Sequence, residues 1–319
     1  MKRRTYRFVS IFMLAAFVAL QPNAGVGQDG VLVDSQSVAL PDRVVERLRA
    51  SQPSMRSVLS DVEIRVITYL SNGLRIRGYV ARPRSSNGQL PGVIFNRGGN
   101  REFGALDDES AAAVLAPLAA QGYVVAASQY RGGPGSEGQD EFGGRDVADV
   151  INMLAVLKND EGVDQSRIAM LGYSRGGLMT YRALAHGDRI AAAVVIAGIA
   201  DLFDVVKRRP ALEYDVIGKL VPDYWLRRQQ ALRERSAVKW VESLPHSTPL
   251  LLIHGTDDER VHVSQSLHVA VHLHRAGRPF HLALLQGADH DLSGHEAQAG
   301  QLVSAWLDLY LRGSAMSLR

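Results

Sequence analysis

The sequence predicts an α/β fold: a mostly parallel central sheet flanked by helices on both faces, entered through an antiparallel hairpin. Three observations carry this. From about residue 92 onward, short apolar runs of strand length alternate with stretches of helical period. Those runs lack polar alternation, as strands buried on both faces do. Ahead of them, two alternating segments are joined by Ser71-Asn72-Gly73, a hairpin signal. Strand–helix alternation after an antiparallel start buries one sheet between two helical layers.

The elements follow in order. Asp29 to about Ser60 is polar and mixed, with a short helix expected at Pro41–Ala50. Val62–Leu70 and Leu74–Arg82 form the hairpin, and Gly92–Asn96 is a short buried strand. Ala111–Ala120 suits a helix and Tyr123–Ser128 another buried strand. Val147, Val150, Ile151, Leu154 and Leu157 recur at helical spacing. The strand Ile168–Gly172 then leads into a helix after Ser174, and Ala191–Gly198 is the next strand. After a long interruption come the strand Pro249–Gly255, a helix over Val263–Ala276 stopped by Gly277, the strand Phe280–Leu285 and a closing helix. There is no internal repeat and no low-complexity tract.

The N-terminus reads as a signal peptide. Lys2, Arg3, Arg4 and Arg7 precede an uncharged run from Phe8 to Leu20. Thirteen residues at ~1.5 Å each are too short for a ~30 Å hydrocarbon core. Small residues follow, and Gly25 and Gly27 suit the −3 and −1 positions of a cleavage site, with Ala24 as a second candidate. The expected organisation is a signal peptide over 1–27 and a single domain over 28–319. The mature chain is expected in the periplasm or outside the cell, with no stable membrane span after cleavage. Residues 1–27 hold four of the 36 Lys/Arg and none of the 33 Asp/Glu, so the rest of the chain is close to neutral. That balance offers no global basic footprint for nucleic acid. The chain has no cysteine, which excludes disulfides, thiolate metal sites and a lipidated N-terminal cysteine.

In such a sheet, chemistry gathers at the carboxyl ends of the strands. Gly172-Tyr173-Ser174-Arg175-Gly176 follows Ile168–Leu171. Glycines two residues either side of a serine permit a sharp strand-to-helix turn that holds the hydroxyl clear of the sheet. With 30 glycines in 319 residues the motif alone is weak, and a plain turn with an N-capping serine is the bland alternative. Asp257 and Asp258 follow Leu250–Ile253, and His290 follows Phe280–Leu285. Serine, acid and histidine thus sit at three strand ends, in the chain order expected of an α/β-hydrolase. The chemistry needs these types: the imidazole takes the hydroxyl proton during attack, and the carboxylate holds the imidazole in the useful tautomer. The developing oxyanion needs backbone N–H donors. The Arg175 N–H is one candidate; Gly99, in Asn96-Arg97-Gly98-Gly99-Asn100, is the first choice for the second.

Gly172–Gly177, the stretch Leu251–Ser266 containing His254-Gly255-Thr256-Asp257-Asp258-Glu259-Arg260-Val261, and Gly287–His295 together resemble the catalytic domain of the prolyl oligopeptidase family. So does the upstream run from Tyr130 through Val150. The resemblance covers about residues 60–312. Its H-G-x-x-D-x-x-V pattern assigns the acid to Asp258 rather than Asp257, and its D/E-H context assigns the histidine to His290, with His295 as runner-up. It implies a Ser174-His290-Asp258 triad, an acyl-enzyme intermediate and no cofactor or metal. Full-length members carry a β-propeller ahead of the catalytic domain. Here only about 30 residues separate the expected mature start from the hairpin, so a propeller is not expected. The Asn96–Gly99 turn also replaces the commoner H-G-G of the family.

Other features have bland readings. Gly132–Gly138 lacks the Lys-Ser/Thr ending of a phosphate-binding loop and is expected to be a mobile loop at the rim of the site. His268, His272 and His274 lack an accompanying zincin motif and read as an exposed helix face. Lys207–Pro210 reads as solvated surface, with contact to an acidic substrate group as the alternative. The interruption at about 201–247 reads as a cap insertion; its Tyr214, Tyr224, Trp225 and Trp240 either line a pocket or anchor the cap. The expected function is a secreted serine hydrolase cleaving peptide or ester bonds of a small substrate, most like a prolyl oligopeptidase-type serine peptidase, with a carboxylesterase on small esters as the alternative and a non-catalytic hydrolase-fold binding protein as the remote one.

Overall fold

The structure, a computed structural model, describes residues 28–51 and 55–313. The expected signal peptide lies outside the described residues. Among the described residues, nine strands form one sheet: β1 (Leu32–Ser37), β2 (Val62–Ser71), β3 (Leu74–Pro83), β4 (Leu90–Asn96), β5 (Val124–Ser128), β6 (Val163–Tyr173), β7 (Ala192–Ile196), β8 (Leu250–Gly255) and β9 (Phe280–Leu285). Their spatial order is β1-β2-β3-β5-β4-β6-β7-β8-β9. The three ladders β1·β2, β2·β3 and β3·β5 at one end are antiparallel; every pair from β5·β4 to β8·β9 is parallel. Asn72 and Gly73 turn the β2–β3 hairpin with φ of 50° and 76°, the left-handed geometry that a two-residue hairpin loop demands.

The β-pleat sends alternate side chains to opposite faces. Ile94, Met170, Val195 and Leu252 enter one core, with Val150, Met153, Leu154 and Leu157 of α4 (Val147–Lys158) and Leu178 of α5 (Arg175–Leu184). Val93, Phe95, Leu171, Val194 and Ile253 enter the other. That second face is covered by α1 (Asp42–Ser51), α2 (Met55–Asp61), α3 (Asp108–Ala120) and the C-terminal helix Glu296–Arg312. The alanines of α3 let it lie close on the sheet: Ala111, Ala112, Ala116 and Ala119 are fully buried.

Two elements were not expected from sequence. β1 is a largely exposed edge strand of polar composition, and α2 follows the expected short helix. Neither carries a strong periodic signal; β1 is specified by its ladder with β2.

Gly132–Gly138 is tied down rather than loose. Glu137 N donates to Arg75 O at 3.0 Å, Arg75 N to Glu137 Oε2 at 2.9 Å, and Arg77 N to Ser136 Oγ at 3.0 Å. The glycines serve this close seat: a Cβ at Gly132, which has φ +72°, would lie 2.4 Å from Asp140 N.

Between β7 and β8 the chain forms the helix Leu202–Arg208, a helical run over 210–220 with a π turn at Glu213–Ile217, the helix Arg228–Glu234 and two 3₁₀ turns. Arg235 Nε and Nη2 donate to Phe142 O and Glu141 O at 3.0 Å each, which ties this insertion to the segment before α4. Its aromatic residues divide. Tyr224 is buried and Trp240 donates to Arg233 O, so both anchor, whereas Tyr214 and Trp225 stack on each other in solvent, 61% and 51% exposed.

Candidate active site

The parallel strands β6, β8 and β9 all end at the same edge of the sheet, which brings their following loops together. β6 passes into α5 through a turn whose tip is Ser174, at φ 58° and ψ −123°. A non-glycine residue at positive φ is strained, and here neighbouring structure holds it. Ser174 N donates to Ile196 O at 2.9 Å, and Ser174 O accepts from Gly177 N and Ile199 N. Both flanking glycines are sterically required. A Cβ at Gly172 would lie 2.3 Å from Gly176 O, and one at Gly176 only 1.8 Å from Asn96 O.

Ser174 Oγ is 3.0 Å from His290 Nε2, and His290 Nδ1 is 2.7 Å from Asp258 Oδ2. The two contacts use opposite nitrogens of one ring, so a proton can be accepted at Nε2 while Nδ1–H stays bonded to the carboxylate. The other carboxylate oxygen, Asp258 Oδ1, accepts from Arg260 N and Val261 N at 2.8 Å each. Burial by itself would raise the Asp258 carboxyl pKa. Hydrogen bonds from His254, His290 and the Val261 N–H outweigh burial and hold it well below the usual carboxylate range. Asp257, one residue earlier, is exposed and touches Thr256 Oγ1; His295 begins the C-terminal helix with its ring near Gln298. Neither is hydrogen-bonded to Ser174 or His290.

Several supporting residues were not singled out from sequence. His254 is fully buried; its Nε2–H reaches Val261 O at 2.7 Å and Asp258 Oδ2 at 3.2 Å, while Nδ1 pairs with Ser266 Oγ at 2.7 Å. It braces the turn that carries Asp258. The first letter of the H-G-x-x-D-x-x-V pattern was the available signal. Tyr173 hydrogen-bonds Asp291 and packs its ring 5.2 Å from that of His290. Burial, reinforced by the Asp291 carboxylate, pushes its phenol pKa up, so the hydroxyl stays protonated and can donate.

Both candidate oxyanion donors lie in segments next to Ser174. Arg175 N is at the N-terminus of α5, directly after Ser174. The Asn96–Asn100 turn lies against the serine: a Cβ at Gly98 would be 3.0 Å from Ser174 Cβ. Among the described residues, no protein acceptor takes the N–H of Gly99 or of Arg175. The Arg175 side chain turns inward, where Asp140 and Asp146 surround its guanidinium. Burial lowers its pKa, but the two carboxylates more than offset this and keep it charged. No cluster of three or more His, Asp or Glu able to hold a metal occurs among the described residues.

Comparison with known proteins agrees with this architecture. The prolyl oligopeptidase family profile matches residues 109–314. The peptidase YtmA of Bacillus subtilis (strain 168), itself uncharacterised, is 33% identical over 230 residues, covering 70% of this chain and 82% of that one. A second uncharacterised peptidase of the same organism, YuxL, is 27% identical over 75% of this chain but only 38% of its own length. The acylaminoacyl peptidase of Pyrococcus horikoshii superposes with a TM-score of 0.68 at 22% identity, over 81% of this chain and 43% of that one. The chain thus spans most of YtmA and under half of these longer relatives. With more than half of its residues inside the family match, this chain belongs to the prolyl oligopeptidase family, whose members are serine peptidases of the α/β-hydrolase fold.

Proposed function

We propose that the protein is an exported serine peptidase that cleaves short peptides through an acyl-enzyme formed on Ser174. One observation carries the reading: the unbroken hydrogen-bond chain from Ser174 Oγ through both nitrogens of His290 to Asp258. Ser174 Oγ attacks the scissile carbonyl carbon as its proton passes to His290 Nε2. The carbonyl oxygen becomes an oxyanion, stabilised by the Arg175 and Gly99 N–H groups. Collapse of the tetrahedral intermediate breaks the C–N bond, and His290 returns the proton to the leaving amine. Water then repeats the sequence on the acyl-enzyme, releasing the acid and restoring Ser174. Asp258 stays ionised throughout and compensates the imidazolium. Family membership favours amide over ester substrates. Export rests on the basic and apolar N-terminal pattern. The 201–247 insertion serves as the cap of the site, tied to the Asp258 turn by Arg209 Nη1, which donates to Arg260 O at 2.8 Å.

The test is labelling by a fluorophosphonate probe, followed by a panel of short peptidyl amides and acyl esters. Labelling lost in Ser174→Ala, with turnover of at least one peptidyl amide in the parent chain, is expected. Turnover of esters alone would move the assignment to a carboxylesterase. Undiminished turnover in Ser174→Ala would overturn the nucleophile.

A further inference from the structure

Arg97 is 1% exposed, yet among the described residues no carboxylate pairs with it directly. Its donors go to backbone carbonyls: Nη1 to Gly98 O at 3.0 Å, and Nη2 to Gln129 O at 2.6 Å and Arg101 O at 3.1 Å. Nε has no partner. The guanidinium lies 5.0 Å over the Tyr130 ring, and the Tyr130 hydroxyl donates back to Arg97 O at 3.2 Å. Burial lowers the Arg97 pKa to about 10, so it remains charged near neutrality. A buried cation without a counter-ion in contact is costly, and a packing role alone could be filled by an apolar side chain.

What the guanidinium holds suggests its use. In a trans peptide the N–H points opposite to the C=O. The described chain has no cis peptide, so fixing Gly98 O from the Arg97 side aims the Gly99 N–H the other way. The next carbonyl, Gly99 O, is held by Arg175 Nη1 at 2.9 Å. Both peptide groups flanking Gly99 are therefore gripped from their oxygen sides by buried guanidinium groups. The turn is also sterically closed. Gly99 has φ +68°, and a Cβ there would lie 1.9 Å from Phe103 O. A cation on a carbonyl oxygen further polarises that amide, which strengthens its N–H as a donor.

We propose that Arg97 is a positioning residue for the oxyanion site: by holding Gly98 O it fixes and polarises the Gly99 N–H that receives the developing charge. This rests on Ser174 being the nucleophile. Arg175 acts twice, through its own N–H and through its side chain on Gly99 O. Where the family commonly reads H-G-G, this turn keeps both glycines and sets before them an arginine that works from behind the loop.

The test uses Arg97→Lys and Arg97→Gln in the full chain, with Arg131→Lys as control. Arg131 is another buried arginine, but it is paired with Asp149. The readouts are kcat and KM on an activated ester and Ki for a peptidyl trifluoromethyl ketone, whose serine adduct carries an oxyanion. Displacing one donor by ~1 Å costs about 10²-fold. Both Arg97 variants should lose roughly 10- to 100-fold in kcat, with KM within about threefold. Inhibitor affinity should weaken by the same factor as kcat/KM. Arg131→Lys should lower thermal stability and leave inhibitor affinity unchanged. Folded Arg97 variants with parental kcat and Ki would overturn the proposal, as would a loss confined to KM. If neither variant folds, the Gly99 amide is followed by NMR in the parent chain. A downfield shift of its proton on adduct formation supports the proposal; no shift overturns it. Turnover retained in Ser174→Ala would instead sink the nucleophile assignment, independently of Arg97.

Discussion

Asp258→Asn separates the charge of the candidate acid from its shape. Asp258 Oδ1 accepts two backbone N–H groups, from Arg260 and Val261, while Oδ2 faces His290 Nδ1. An asparagine in this seat has one acceptor and one NH₂. Turning the NH₂ toward Arg260 N and Val261 N would set donors against two donors, leaving the part-buried Arg260 N–H and the buried Val261 N–H unpaired, the latter at about 1–3 kcal/mol. The amide therefore keeps its oxygen on the backbone and presents its NH₂ to His290 Nδ1. That nitrogen must then accept, which moves the ring proton to Nε2, facing Ser174 Oγ. The ring loses the lone pair that takes the serine proton. In a well-characterised Ser-His-Asp enzyme this change lowered turnover about 10⁴-fold, roughly 5 kcal/mol in barrier height. The same order is expected here, with the fold intact because the isosteric side chain preserves the backbone bonds. Asp257→Asn, exposed and bonded only to Thr256 among its side-chain partners, should stay within about twofold. The assay is single-turnover acylation by an activated ester alongside near-UV circular dichroism. A folded Asp258→Asn protein that acylates within tenfold of the parent would refute the tautomer argument.

Gly176→Ala should destabilise by ~3 kcal/mol or more, since its Cβ would stand 1.8 Å from the backbone oxygen of Asn96, an overlap beyond ordinary overpacking; a urea midpoint equal to the parent's would count against the elbow geometry. Gly300→Ala, in an exposed helix interior with nothing within 4 Å of a Cβ, should instead stabilise by about 0.5–1 kcal/mol in the same measurement. Because the folded Asp258 pKa lies below the ordinary carboxylate value, its contribution is complete above about pH 4 and is lost as pH falls toward the folded value. The urea midpoints of the parent and of Asp258→Asn should therefore converge as pH drops below about 4, and an acid limb of activity at higher pH reports a group other than Asp258. Mature protein recovered from the native host should begin near Gln28, and sequencing that finds Met1 in a soluble cytoplasmic pool would refute export.

By itself the sequence was sufficient for the parallel strands and the elbow. Val124–Ser128, Ala192–Ile196 and Leu250–Gly255 are apolar because both their faces are buried, and that requirement is local enough to read along the chain. Gly172 and Gly176 are equally legible, because the close approach of β6, α5 and β4 tolerates no Cβ. The strand order, the edge strand β1 and the seating of Gly132–Gly138 needed the tertiary structure. Each is decided by a partner distant in sequence, as when Ser35 pairs with Ile67 and Glu137 with Arg75. The same holds for the site. Spacing placed a serine, two acids and two histidines at strand ends. The family pattern chose Asp258 and His290 among them, and packing supplies the reason: Asp258 turns inward onto His290 while Asp257 stays in water, and His254 closes the turn behind them. Arg97 is the clearest case: in sequence it is one of many arginines, and its meaning comes from three carbonyls that the fold brings around one guanidinium.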